Sequence, residues 1–225
     1  MAGQRVRLWD LPVRVVHWSV VLLMPALWWT AENNQRFLHL RLGYVALALL
    51  AFRLLWGLVG GSTARFASFV KGPRAIAAYL RGLFAKHGEP TVGHNPVGGW
   101  SVVILLTLLV AVLGTGLFAD DTDGSNPGPL NYLIQGDLSE HMGHWHHLLF
   151  NVLLGFIGLH LLAILFYAVA KRENLVGPMV TGRREMAAPT TAPTFAPAWR
   201  AILCIVLALG LIWWISLGAP IPGKK

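Results

Sequence analysis

The chain has 225 residues, of which 55% are hydrophobic and only 12% are charged, and its mean hydropathy is +0.57. This composition lies well outside the range of soluble globular domains and predicts an integral membrane protein. The lone cysteine, Cys204, excludes a disulfide within the chain and a cluster held by thiolates. We expect it to be a small buried residue of the last apolar stretch.

Five apolar stretches are long enough, or nearly so, to cross a bilayer. A span of about 30 Å of hydrocarbon takes about 20 helical residues. The predicted spans are 15–30, 38–59, 98–119, 145–170 and 200–217. The first span follows basic residues as a signal peptide would, but no small-x-small cleavage site follows it, so we expect a retained helix. The fold class is therefore all-α.

Basic residues are distributed very unevenly between the two sides that these spans define. With the N-terminus inside, 14 of the 18 Lys and Arg lie on the inner side, and only Arg36, Arg41, Lys224 and Lys225 lie outside. This positive-inside bias predicts a cytoplasmic N-terminus and a periplasmic C-terminus. The net charge of +8 is therefore a topology signal, and we expect no nucleic-acid partner.

The segments between the spans differ in character. Residues 73–86 predict a short amphipathic helix that rests on membrane lipid at the inner surface, with packing on a partner subunit as the alternative. Residues 173–198 are rich in Pro, Ala and Thr and are typical of a flexible linker. We predict a first domain over 1–172, this linker, and an additional C-terminal transmembrane helix within 199–225.

Four histidines at span ends can be paired by depth. His146 and His160 are fourteen residues apart on one helix, which returns them to within roughly 40° of one face with about 21 Å of rise between them. His39 matches the depth of His146 near the outer surface, and His17 matches His160 near the inner one. Histidines inside spanning helices are costly and face partners within the protein.

Two facing pairs of neutral imidazoles suit an iron held from both sides. Zinc would leave two coordination positions unfilled, because no Cys, Asp or Glu is buried nearby. A haem supplies four equatorial nitrogens, so the protein needs to provide only two axial ligands. The sequence therefore predicts two non-covalent haem b groups with bis-histidine ligation, His17 and His160 at the inner iron and His39 and His146 at the outer one. His147 is the main competitor of His146, and His87 and His94 are expected to be solvated.

Other residues have cofactor-binding potential. Gly43, one turn after His39, would let a flat macrocycle approach the backbone. Arg53 lies fourteen residues beyond His39 on the same helix face and, like Arg41 outside, has the charge to pair with a haem propionate. The alternative for either arginine is a topology signal alone.

Three segments together resemble a known family: RVVHW in the first span, LHLRLGYVALALLAFRLL in the second and WHHLLFNVLLGFIGLH in the fourth. They are similar to the bacterial cytochrome b561 family, including the b-type cytochrome subunits of membrane-bound nickel-iron hydrogenases. The resemblance covers roughly residues 5–172 and implies an integral membrane four-helix haem-binding bundle in the bacterial inner membrane. It also implies that His17, His39, His146 and His160 are the haem ligands. The fifth C-terminal helix departs from the minimal pattern.

Three functions remain open at this stage. The first is electron transfer between a periplasmic redox partner, either a cytochrome c or a hydrogenase-like protein, and membrane quinone, with no catalytic residue in the chain. The second is a stand-alone superoxide:quinone oxidoreductase, which the acidic loop between the third and fourth spans disfavours, because an anion needs a positive approach. The third is a haem-free transporter or scaffold that uses the histidines as proton relays.

Overall fold

The structure, a computed structural model, describes residues 4–83, 93–120, 127–134, 136–186 and 193–219. Within them the fold is all-α apart from one two-stranded sheet, which confirms the predicted class. The helices are α1 (Leu11–Glu32), α2 (Arg36–Val59), α3 (Phe66–Phe69), α4 (Pro73–Gly82), α5 (Pro96–Phe118), α6 (Asp137–Val169), α7 (Val176–Thr181) and α8 (Ala198–Ser216). A 3₁₀ turn covers Asn131–Leu133, and strands β1 (Gln4–Arg7) and β2 (Arg183–Met186) pair antiparallel.

Five of these helices, α1, α2, α5, α6 and α8, are long and apolar enough to cross a membrane, and they correspond to the five predicted spans, three of which end one residue beyond the observed helix. Some helices begin earlier than the apolar pattern suggests, because their first turns are polar. Asp10 accepts a hydrogen bond from the backbone N–H of Val13 at 2.8 Å and so caps α1. Asp137 and Glu140 occupy the first turn of α6, where negative charge favours the exposed helix N–H groups.

The described chain divides into two compact units, and the boundaries fall within the long helices. Unit 1 comprises Met1–Val15, Arg53–Ile104 and Gly158–Ala201. Unit 2 comprises Val16–Phe52, Leu105–Ile157 and Ile202–Lys225.

Unit 1 is built around a buried carboxylate. Asp10 is only 4% exposed, and its second oxygen accepts a 2.9 Å hydrogen bond from the indole N–H of Trp56, itself 2% exposed. Arg53 is also buried and donates to the carbonyl of Ala64 at 3.3 Å. A buried carboxylate needs such donors, because an unsatisfied charge in an apolar interior is costly.

The sheet lies in unit 1 and joins two segments that the sequence predicts as an inner tail and a linker. Gln4 pairs with Met186 and Arg7 with Arg183. The predicted linker over 173–198 thus contains both α7 and β2, while residues 187–192 lie outside the described part. Each strand has three polar residues and a single apolar one, Val6 in β1 and Met186 in β2, so neither has an alternating hydrophobic pattern to detect.

The amphipathic helix predicted over 73–86 is observed as α4, and residues 84–86 lie outside the described part. The sequence predicts that this helix rests on membrane lipid, but one side of α4, at Tyr79, has a protein partner. The hydroxyl of Tyr79 is hydrogen-bonded to that of Tyr167, and Asn95 Nδ2 donates to the same Tyr167 oxygen at 3.1 Å. This side of α4 therefore contacts protein.

Unit 2 has a hydrophobic cluster that involves the end of the last long helix. Leu130, Ile215 and Ala219 are buried together, and partly buried Tyr44 and Leu117 pack against them. The end of α8 thus packs on its own chain. Cys204, in the same helix, is a free and buried cysteine, as expected.

Candidate haem-binding site

Two histidines from different helices face each other in unit 2. His39 lies near the start of α2 and His146 in the first half of α6. Their ring centroids are 6.3 Å apart, and the two planes are almost perpendicular at 85°. The sequence predicts these two residues as a pair, and the fold brings them together.

The Nδ1 atoms of both rings are occupied by backbone carbonyls. His39 Nδ1 lies 3.1 Å from the Leu27 carbonyl oxygen and 3.1 Å from the hydroxyl of Thr30, while His146 Nδ1 lies 2.8 Å from the carbonyl oxygen of Val112. A carbonyl only accepts, so each Nδ1 carries the proton and donates it. The opposite nitrogen, Nε2, is therefore unprotonated in the neutral ring and has the lone pair that a metal needs.

The surroundings of His146 are tight on one side. An ideal Cβ on Gly116 would lie 2.9 Å from both Nδ1 and Cε1 of the His146 ring. Glycine at this position lets the ring lie against α5, where the hydrogen bond to Val112 is formed. The sequence analysis did not identify Gly116, because nothing in an apolar stretch marks which glycine a ring will contact.

Open space lies beside several other glycines of unit 2. Ideal Cβ atoms on Gly43, Gly114 and Gly155 would meet nothing within 4 Å. Gly43 is the glycine that the sequence analysis proposes for macrocycle approach, and the structure leaves the space beside it open.

This pair fits a haem iron by its donors and its spacing. Two imidazole nitrogens at about 2 Å from one metal place their ring centroids roughly 6 Å apart, which the observed separation matches. No group of three or more His, Cys, Asp or Glu side chains in the described residues is arranged to hold a metal ion. A cofactor that brings its own equatorial nitrogens needs only the two ligands present here.

The competing histidines of α6 are more exposed than His146. The ring centroid of exposed His147 lies 6.0 Å from that of His146, and His147 is also close enough to His39 to interact with it electrostatically. His144 and His141 are exposed as well, and the His141 ring is bonded to the carbonyl of Asp137 in its own helix. His146 is therefore the α6 histidine whose ring faces His39 with a buried carbonyl behind it.

The arginines near this pair are exposed. Arg41 stacks over the ring of Phe37 with its guanidinium carbon 3.8 Å from the centroid, and Arg36 donates to the carbonyl of Pro127 at 3.1 Å. Arg41 remains a prediction as a propionate partner.

The two residues predicted for the inner iron belong to different units. His17, in unit 2, packs edge to face against Trp18 at 5.1 Å between centroids. His160, in unit 1, is half-buried. Their ligation of one iron remains a prediction from the sequence.

Unit 1 contains a half-buried histidine, His94, whose ring is enclosed by two aromatic side chains. The ring of His94 lies between Trp9 and Phe69, with centroids 4.6 and 4.5 Å away, and its Nδ1 is buried without a hydrogen-bond partner in the described residues. Burial lowers the pKa of His94 to about 3, and the charge of Arg53 and the ring of His160 act in the same direction. The expectation that His94 is solvated is wrong. The rings of Trp9 and Phe69, which are distant from His94 in the sequence, enclose it, so no local sequence pattern predicts this contact.

Arg53 is held in the same unit. Its guanidinium lies 5.1 Å from the ring centroid of Phe66, and the carboxylate of Asp10 attracts it. The buried position supports a polar role beyond topology, and its pairing with a propionate remains a prediction.

Comparisons with known proteins identify the family of the chain. Residues 8–182 match the family of prokaryotic cytochrome b561, and the chain belongs to that family. It is therefore a membrane b-type cytochrome, a haem b protein whose chemistry is electron transfer. The haem-free alternative does not fit this membership.

The curated relatives share one description. The chain is 25% identical over 212 residues to the probable Ni/Fe-hydrogenase B-type cytochrome subunit of Bradyrhizobium diazoefficiens, covering 80% of this chain and 86% of the relative. The probable Ni/Fe-hydrogenase 1 B-type cytochrome subunit of Escherichia coli K12 is 23% identical over 211 residues, with 78% and 89% covered. The corresponding protein of Azotobacter vinelandii is 25% identical over 213 residues, with 80% and 88% covered. No solved structure matches the chain.

Proposed function

We propose that the chain is the membrane electron-transfer subunit of a hydrogenase-like redox system, exchanging electrons between a partner redox protein and membrane quinone. The observation that carries the proposal is the His39–His146 pair, with centroids 6.3 Å apart and both Nδ1 atoms donating to carbonyls. The printed names of the relatives favour a hydrogenase-like partner over a periplasmic cytochrome c.

Within this proposal the chain binds two haem b groups. His39 and His146 hold one through Nε2, while Leu27, Thr30 and Val112 fix the orientation of the two rings. A carbonyl behind a ligating imidazole increases its basicity and prevents it from turning. His17 and His160 are proposed for the second haem from their predicted depth in the membrane, with Arg53 as its propionate partner. Arg41 is proposed as the propionate partner of the outer haem.

Bis-histidine ligation determines the kind of chemistry. Haem would supply a one-electron couple when bound, and His39 and His146 would be the two side chains that hold its iron. With two protein ligands on the iron, outer-sphere electron transfer would be favoured over chemistry that needs substrate on the metal. The chain's own residues orient the ligands and exclude water around them. The location that we propose is the bacterial inner membrane, with a cytoplasmic N-terminus and a periplasmic C-terminus, as the placement of basic residues supports.

The first test counts haems in the protein purified in detergent. Pyridine haemochrome quantification is expected to give two haems b per chain, with a low-spin reduced-minus-oxidised spectrum. The variants His39→Ala and His146→Ala should each lose one haem, and His160→Ala should lose the other. The matched control is His147→Ala, the exposed neighbour in α6, which should keep both. Two haems retained in His146→Ala, or one lost in His147→Ala, would contradict the ligand assignment.

A second measurement tests the quinone. A soluble quinol analogue added anaerobically should reduce the oxidised protein, with the absorbance change of a reduced b-type haem. Absence of reduction by several quinols of different potential would refute exchange with quinone and leave the haem assignment standing.

A further inference from the structure

Two adjoining clefts lie beside the sheet in unit 1, at the point where α1 begins. One, of about 450 Å³, is lined by Arg5, Thr181, Arg183, Arg184 and Glu185. The other, of about 270 Å³, is lined by Arg7, Leu11, Arg14, Thr181, Gly182 and Arg183. They share Thr181 and Arg183, and together they are called the arginine cleft here.

Two of the five arginines of the arginine cleft are neutralised within the protein. Arg5 forms an ion pair with Glu185 at 3.2 Å, and Arg184 forms one with Glu173 at 2.7 Å. The other three, Arg7, Arg14 and Arg183, have no acidic partner among the described residues. The cleft therefore has an excess of about three positive charges in a small volume.

The sheet register brings two of the unneutralised arginines together. Arg7 and Arg183 are directly opposite each other in the β1–β2 ladder, two positions from the complementary pair of Arg5 and Glu185. Like charges at opposite positions of a ladder destabilise it. The guanidinium of Arg7 lies 4.3 Å from the ring centroid of Phe195, a contact that brings no negative charge, so an anion beside the two arginines would reduce this repulsion.

The backbone around the cleft is fixed. Arg14 donates to the carbonyl of Met179 at 3.4 Å and to that of Val180, which ties α1 to α7. Gly182 has φ +76°, and an added Cβ would lie 2.8 Å from the Arg14 guanidinium, so the chain turns here only because the residue is glycine. The hydroxyl of Thr181 and the guanidinium groups thus line the cleft from a rigid frame.

Apolar side chains beside the cleft indicate the source of the anion. Leu11, Val15 and Val180 are 56, 51 and 52% exposed, and Leu11 is the first residue of a helix long enough to span a membrane. The cleft therefore lies where hydrocarbon gives way to lipid headgroups. We propose that the arginine cleft binds the phosphodiester headgroup of an anionic phospholipid, with Arg7 and Arg183 on the phosphate and the acyl chains along Leu11 and Val15.

The proposal is tested by titrating the full-length protein, purified in detergent, with dioleoyl phosphatidylglycerol and counting bound lipid by native mass spectrometry. Each positive charge near an anionic lipid contributes roughly five-fold in binding, so Arg7→Gln/Arg183→Gln should weaken binding roughly 30-fold and Arg183→Gln alone roughly five-fold. The matched control is Arg172→Gln, an exposed arginine of the same unit that lines neither cleft. It should bind as the wild type does.

Two further arms distinguish the alternatives. Zwitterionic phosphatidylcholine should bind much more weakly than phosphatidylglycerol, and millimolar inorganic phosphate should not displace the lipid. Equal binding by the double variant, the control and the wild type would overturn the proposal, and so would displacement by free phosphate. Far-UV circular dichroism checks the fold of the double variant, and the single variant decides the question if the double variant has lost helix.

Discussion

The close contact between Gly116 and the ring of His146 gives the sharpest prediction. The change is Gly116→Ala. Its Cβ would lie 2.9 Å from Nδ1 and Cε1 of the ring, whereas carbon atoms in good contact are about 3.5–4.0 Å apart. The ring must therefore move by roughly 0.6–1 Å, which stretches the 2.8 Å hydrogen bond to Val112 beyond the usual limit of about 3.2 Å.

Loss of such a bond behind a ligating imidazole typically weakens metal binding about 10–100-fold, or about 1.4–2.7 kcal/mol. We expect Gly116→Ala to lose the haem held by His39 and His146 when the purified protein is diluted or challenged with apomyoglobin, a haem acceptor. The other haem should stay. The assay is haem per chain by pyridine haemochrome, followed over time.

The matched control is Gly114→Ala, two residues earlier in α5, where an added Cβ meets nothing within 4 Å. Both changes raise helix propensity by the same amount, about 1 kcal/mol, so a general effect on α5 would appear in both variants. Equal haem retention in Gly116→Ala, Gly114→Ala and the wild type would refute the reasoning that the ring needs this space.

Three further predictions concern unit 1, and each is checked by thermal unfolding in detergent. The folded pKa of His94 is about 3, below its unfolded value of about 6.5, so its contribution to stability is present above pH 6.5 and falls by up to about 1.4 kcal/mol per pH unit as the pH drops toward 3. His94→Phe should flatten this acid slope, and an unchanged slope would contradict the burial. Tyr167→Phe should lower the free energy of unfolding by about 1–3 kcal/mol, because it leaves the Tyr79 hydroxyl without its partner. A loss below about 0.5 kcal/mol would count against that hydrogen bond. Trp56→Phe should lower the free energy of unfolding by a similar amount or more, because it removes the donor to buried Asp10. If the unpaired charge of Asp10 is the cause, adding Asp10→Asn to this variant should recover part of the lost free energy.

The candidate site shows which of its features can be predicted from sequence patterns and which cannot. The positions of His39 and His146 follow from helical geometry and depth alone, because a 1.5 Å rise per residue converts sequence distance into membrane depth. The atoms that orient the two rings cannot be predicted from helical geometry and depth. Two are backbone carbonyls, at Leu27 and Val112, which every residue has, and the third is Thr30, nine residues before His39 and on another helix.

Unit 1 shows the same limit. The ring of His94 is enclosed because Trp9 and Phe69, which are sixty residues apart, close on it, and the sheet exists because two short polar segments at opposite ends of the chain meet. A local sequence pattern reports only the period and the polarity of a segment. Neither the enclosure of His94 nor the pairing of the two strands alters the period or the polarity of the segments involved.

Hydrophobicity and helical rise predict the membrane class, the five apolar helices and the pairing of His39 with His146, because both properties add up along the chain. The tertiary structure adds that the rings of His39 and His146 face each other, that Gly116 makes room for the His146 ring, and that arginines of the N-terminal segment and of residues 183–184 line one cleft. Those outcomes depend on side-chain direction and on contacts between distant segments, which packing alone sets.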